Sequence, residues 1–201
     1  MSAQGFAPLG SAFAVGEGLF ATAAHAVGQS DEGLALRLPA PTPVDGYQDT
    51  TVTEIRGVAA KIEAYDAVRD IALLSTAKFY DSPIPYVLGS SDDAPEETPI
   101  LSFGFPHIDY GRLVLTSNIS EVGARVLLGA EKNKYVVLNT QGRPGQSGGP
   151  AFVRGTNRVA AMVVGAYRPG HGGGVIIGGI DPTTLHQTTH AISAEYIREM
   201  I

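Results

Sequence analysis

Short apolar runs, broken every few residues by Gly, Pro, Asn or Asp, dominate the chain. SAFAVG (11–16), LFATAA (19–24), LALRLPA (34–40), VAAKIEAYD (58–66) and DIALLST (70–76) carry this signature in the first half. PILSFGFP (99–106), RLVLTSNISEVG (112–123), KYVVLN (134–139), PAFVRG (150–155), RVAAMVVGAY (158–167) and GGVIIGGI (173–180) carry it in the second. Apolar, β-branched runs of this length between turn signals read as strands of a sandwich or barrel, so the expected class is all-β. The acidic, Pro-containing stretch SSDDAPEETP (90–99) has no apolar period and reads as a linker between two similar halves. Only the tail, SAEYIREMI, has helical spacing. Tyr196, Ile197, Met200 and Ile201 share one side, with Ser193 as the expected N-cap.

Composition narrows the picture. With 201 residues, 44% hydrophobic and 17% charged, the chain can bury one sizeable core or two small halves sharing an interface. A net charge of −6 and the lack of a Lys/Arg cluster argue against nucleic acid as a partner. There is no cysteine, hence neither disulfide nor thiolate–metal chemistry. The start, MSAQGFAPLG, lacks a basic segment followed by an apolar run, which predicts a cytoplasmic protein, and no apolar run is long enough to span a membrane.

The chemistry centres on GRPGQSGGP (142–150), which holds one serine, Ser147, in a glycine frame. GQSGG formally matches the nucleophile elbow of α/β-hydrolases, and Asp181 with His186 or His190 would supply its acid and base in order. That elbow needs a helix directly after the serine, and Pro150 with the strand-like AFV follows instead. The competing order is histidine, aspartate, serine: His25 in FATAAHAVG, Asp70 in VRDIALLS, then Ser147. An unpaired carboxylate heading the apolar run IALL would be costly, so Asp70 calls for a partner. A metal site from His171, His186 and His190 is a weaker option, with no His-x-x-x-His helix to build it.

TAAHAV, DIALL and PGQSGGPAF together resemble the histidine, aspartate and serine motifs of the chymotrypsin-like (trypsin-fold) serine peptidases, in particular the bacterial cysteine-free branch that includes the HtrA/Deg proteases. GFP (104–106) and the tail HAISAEYIREMI extend the likeness over nearly the whole chain. The resemblance implies two six-stranded antiparallel β-barrels and a short C-terminal helix. Residues 1–95 would carry His25 and Asp70, and residues 96–201 would carry Ser147. It further implies a serine endopeptidase acting on protein or peptide substrates without a cofactor. His25 would serve as base, Asp70 as its orienting acid, Ser147 as nucleophile, and the Gly145 and Ser147 amides as oxyanion hole. The implied specificity pocket comprises Gln141, Gly142, Val163, Val164, Gly165 and Thr189. Gln141 in place of an acid argues against a Lys/Arg preference, and Val163 with Val164 suggests small or medium aliphatic side chains. A pocket histidine selects glutamate in some relatives, but strand alternation directs His190 away from the side of Thr189. Gln146 stands where zymogen-type relatives carry an aspartate, so activation by a new N-terminus is not expected. The resemblance leaves room for an activating partner or fused regulatory domain, and for a catalytically silent, peptide-binding member of the fold.

Overall fold

The structure is a computed structural model that describes residues 7–37, 46–51, 57–77, 83–106, 108, 113–166 and 188–201. The first half contains β1 (Ala12–Gly16), β2 (Leu19–Ala23), the helical turn α1 (Ala24–Val27), β3 (Ala35–Leu36), β4 (Val58–Asp66) and β5 (Ile71–Thr76). These strands form an antiparallel sheet in the order β1-β2-β5-β4-β3. Glu17 and Gly18 close the β1–β2 hairpin, with Gly18 at the second turn position in a positive-φ conformation (63°) that glycine adopts without strain.

The second half contains β6 (Val87–Leu88), β7 (Pro99–Gly104), β8 (Thr116–Leu128), β9 (Asn133–Leu138), β10 (Pro150–Val153), β11 (Arg158–Ala166), β12 (Thr189–Ser193) and the helix α2 (Glu195–Met200). The order β10-β7-β8-β9-β12-β11, with β11 pairing back onto β10, closes a six-stranded barrel. β6 adds a parallel strand outside β11. The all-β, two-part architecture is therefore the one the sequence implies, with five strands of the first half among the described residues. The run GGVIIGGI lies outside the described residues.

Strand character follows from what each face meets. β8 alternates between buried and exposed positions through its middle, as a strand with one wet face should. β11 is buried from Val159 to Val164, because barrel interior covers one face and the first half covers the other. One apolar cluster, including Ile100, Val122, Val136 and Leu138, fills the closed barrel. A second cluster joins Phe13, Ile71 and Leu73 of the first half to Tyr135, Met162, Ile192 and Ile197 of the second. Burying a side chain of this size is worth about 1.5–3 kcal/mol. The halves thus share a core.

Two expectations need correction. SSDDAPEETP is docked rather than a slack linker: Ser91–Asp93 form a 3-10 turn and Ala94 is fully buried. Asp92 also pairs with Arg125 and Lys134 at 2.6 Å each. Ser193 does not cap α2. Its hydroxyl accepts the Ser91 amide at 2.8 Å, so Ala194 stands at the N-cap without a side-chain bond. Tyr196 and Ile197 are buried as the helical spacing implies, whereas Ile201 is exposed.

Candidate active site

His25 and Asp70 meet where two turns abut. β2 ends in Ala21, Thr22 and Ala23, and α1 begins at Ala24; all four are buried, and their small side chains let α1 sit tightly against the start of β5. Asp66 organises the β4–β5 turn, its carboxylate accepting the Val68 and Arg69 amides at 2.9 and 3.0 Å. The turn ends on Asp70 in a left-handed conformation (φ 57°), one that aspartate tolerates better than most residues. Arg69 ties this turn to the second half. Its guanidinium lies 4.2 Å from the centre of the Tyr196 ring and bonds Asn133 and Glu199 at 3.2 Å each.

Asp70 grips His25 at two points. One carboxylate oxygen accepts the His25 backbone amide at 2.7 Å, and the other lies 2.6 Å from ring Nδ1. The Asp70 carbonyl also takes the Ala24 amide at 3.1 Å. This arrangement selects the tautomer protonated on Nδ1 and leaves Nε2 as a proton acceptor. The hydrogen bond from Asp70 raises the His25 pKa above the ordinary 6.5, assisted by its charge and opposed by partial burial.

The serine loop is built from turns. The Gln146 amide donates to the Arg143 carbonyl at 3.1 Å, while the buried Gln146 side chain accepts the Arg143 amide at 2.8 Å. Gly145 and Gly148 take φ values of 91° and 86°. Any Cβ there would collide, at 145 with the Phe105 carbonyl oxygen (2.2 Å) and at 148 with that of Ser11 (2.0 Å). The Gly145 and Ser147 amides donate to nothing among the described residues. The Ser147 hydroxyl donates to the Val164 carbonyl at 2.8 Å and makes no hydrogen bond to the His25 ring.

The loop nevertheless faces β2, the strand that leads into His25. A Cβ on Gly148 would lie 2.5 Å from the Thr22 hydroxyl and 3.0 Å from the Ala23 nitrogen. One on Gly10 would meet both the Ser147 carbonyl (3.0 Å) and Ala26 (3.2 Å). His25, Asp70 and Ser147 therefore come to one seam between the halves.

Residues 10–162 match the trypsin-like peptidase domain. The chain belongs to that family. No curated protein matches it significantly. Among solved structures, the peptidase domain is similar to the HtrA-type protease AlgW with decapeptide, at 20% identity and a TM-score of 0.64, over 96% of this chain and 50% of that one. It is also similar to the active form of the Rv3671c protease from M. tuberculosis, at 18% identity and a TM-score of 0.65, covering 94% and 70% of the two chains. The apo MamO protease domain from Magnetospirillum magneticum gives 15% identity, a TM-score of 0.60 and coverages of 96% and 88%. The chain spans about half the length of the AlgW chain. At these identities the likeness is one of fold.

Of the expected pocket residues, the peptidase domain brings Gly142 and Thr189 together. A Cβ on Gly142 would sit 2.8 Å from the Thr189 hydroxyl, which itself donates to the Thr140 carbonyl at 2.9 Å. Thr189 pairs with Ala166 across the β11–β12 ladder, and a Cβ on Gly165 would point into open space. Val164 departs from expectation: its side chain packs in the shared core, so it offers the site a carbonyl rather than an apolar wall. Gln141 lines a polar cavity of about 360 Å³ together with Thr116, Asn118, Thr140, Arg143 and Gln146. His190 packs edge-on against Tyr135, and burial holds its pKa below the usual histidine value. His171, Asp181 and His186 lie outside the described residues. Among the described residues no acidic or histidine cluster is placed to hold a metal.

Sequence patterns missed Arg69 and Ser11. Neither lies in a recognisable motif, and only the tertiary partners of each reveal a role. One prediction follows from the loop. Gly145→Ala should displace the loop from Phe105 and Ile108, and, on the expectation that the Gly145 amide is an oxyanion donor, lower turnover about 10²–10³-fold. Steady-state kinetics on a peptide substrate checks it.

Proposed function

We propose that this peptidase domain is a serine endopeptidase with Ser147 as nucleophile, His25 as general base and acid, and Asp70 as orienting acid. The observation that carries the reading is the two-point grip of Asp70 on His25, beside a glycine-framed serine loop with two uncommitted amides. On the side of β11 away from β12, strand pairing ends at Met162, and the loop at Gly148 and Gly149 takes Val163. Val164–Ala166 form the edge on which an extended substrate adds as a strand. The side chain preceding the scissile bond then enters beside Gly142 and Thr189. Among the described residues Gly142 and Thr189 offer no charge there, which supports a preference for small or medium aliphatic groups.

Catalysis then runs in two halves. The Ser147 hydroxyl turns from Val164 to His25 Nε2 and attacks the carbonyl carbon, forming the C–O bond as its proton passes to the ring. The Gly145 and Ser147 amides stabilise the resulting oxyanion. His25 gives that proton to the leaving amine, the C–N bond breaks, and an acyl-serine remains. Water attacks the ester, giving a proton to His25, which returns it to Ser147.

His25 must be neutral to accept the first proton. Since Asp70 raises its pKa, kcat/KM should climb with pH about a midpoint above 6.5. A pH–rate profile checks this, and a midpoint below 6.5 contradicts it.

The Ser147–Val164 hydrogen bond favours a second reading, a catalytically silent peptide-binding member of the family. An activating partner or fused regulatory domain that reorients the hydroxyl would connect the two readings. A fluorophosphonate probe separates them. The endopeptidase reading expects labelling at Ser147; no labelling, with peptide library present, favours the silent one.

A further inference from the structure

Ser11, at the entry to β1, has its polar atoms committed between the halves. Its hydroxyl donates to the Gly145 carbonyl at 2.6 Å and accepts the Phe105 amide at 3.2 Å. Its own amide donates to the Ser147 carbonyl at 2.8 Å, and its carbonyl accepts the Thr22 hydroxyl at 2.7 Å. The residue is 4% exposed, and the backbone of Gly104 and Gly148 approaches it closely.

The geometry of these bonds matters more than their number. The Phe105 amide fills the acceptor side of the Ser11 hydroxyl, so the hydroxyl proton is directed at Gly145. The Gly145–Gln146 peptide is consequently held at both ends, its oxygen by Ser11 and its N–H by the Arg143 carbonyl. Gly145 needs such restraint, because glycine has little intrinsic preference for its φ of 91°. The Ser147 carbonyl is fixed from the same residue. The backbone on either side of Gln146 is thereby anchored at the Gly145 and Ser147 carbonyls, and Thr22 links the same hub to the strand that leads into His25.

We propose that Ser11 is a positioning residue that fixes the oxyanion-binding geometry of the 145–147 backbone from the opposite half of the molecule. The proposal rests on Ser147 being the nucleophile, and it acts on the transition state rather than on substrate affinity. Removing the hydroxyl leaves the Gly145 carbonyl and the Phe105 amide unsatisfied in a buried place. The loss is about 10- to 100-fold in rate, on the scale of a buried hydrogen bond broken from one side.

The test compares wild type with Ser11→Ala and Ser11→Thr. Ser11→Ala should lower kcat about 10- to 100-fold with KM changed less than about twofold, and weaken inhibition by a peptide boronic acid by the same factor as kcat. Ser11→Thr, which keeps the hydroxyl, should recover most of both. Ser11→Cys, a weaker donor of similar size, replaces alanine if alanine prevents folding, and the same split is expected. Unchanged kcat and boronate affinity, or a loss confined to KM, overturns the proposal. Hydrogen exchange at the Gln146 amide reads it without catalysis: exchange should rise about tenfold in Ser11→Ala while the β11 amides stay protected. Equal exchange at Gln146 overturns the proposal even if wild type is inert, whereas inert wild type alone ends only the endopeptidase reading.

Discussion

Ser147→Ala should abolish peptide hydrolysis and fluorophosphonate labelling, with kcat falling by about 10⁶, the scale seen when a nucleophilic serine is removed. The fold should survive. Ser147 is only partly buried, and its hydroxyl makes one hydrogen bond, to the Val164 carbonyl. The net stability contribution of such a bond is about 0.5–1.5 kcal/mol. The carbonyl it leaves behind belongs to a strand segment that, among the described residues, has no strand partner on that side beyond Met162. Cleavage of a peptide library before and after substitution, with thermal unfolding as the folding control, checks both parts. A variant with near-wild-type rates would place the nucleophile elsewhere.

Asp70→Asn should slow turnover by about 10⁴ while leaving the architecture in place. The asparagine carbonyl can still accept the His25 backbone amide, but its NH₂ group then faces Nδ1. That drives the ring to the tautomer protonated on Nε2, which cannot accept the serine proton. Asparagine is the informative substitution because position 70 has a φ of 57°, which it tolerates nearly as well as aspartate. Alanine would add a backbone penalty of about 1–2 kcal/mol and blur the chemical effect. The variant should also shift the acid limb of kcat/KM downward, since hydrogen bond and charge from Asp70 both raise the His25 pKa. The same raised pKa makes the pair stabilising below 6.5, an effect lost as pH rises through the folded-state value. An unshifted limb would mean that Asp70 does not face the titrating ring during catalysis.

The strands were legible as apolar runs between turn signals: β4 and β8 alternate between covered and exposed positions, whereas β5 and β11 are buried at consecutive positions and read as unbroken apolar runs. β6, two residues long, has no period to read. Ser193 looked like a helix cap because the sequence displays the acceptor and hides the competing donor, the Ser91 amide, from 102 positions away. His25 and Asp70 stood out in their motifs, and the structure joins them. The direction of the Ser147 hydroxyl was not legible, since its rotamer answers to a carbonyl on β11 that no local pattern brings near. Val164 was misread as a pocket wall for a related reason. Its face depends on a bulge between Val163 and Gly165, where the β11–β12 register shifts. Ser11, a small residue among small residues, acquires meaning only through its partners on another part of the chain.

The cluster that joins Phe13, Ile71 and Leu73 to Met162, Ile192 and Ile197 has a consequence for synthesis on the ribosome. The first five strands emerge early, but their apolar underside has no cover until the segments around 162, 192 and 197 have followed. A nascent peptidase domain in that state presents His25 and Asp70 on an unfinished surface. α2 supplies Tyr196 and Glu199, two of the partners that Arg69 beside Asp70 reaches for. The turn that holds Asp70 against His25 would thus gain the support of Arg69 only when α2 has docked on the shared core.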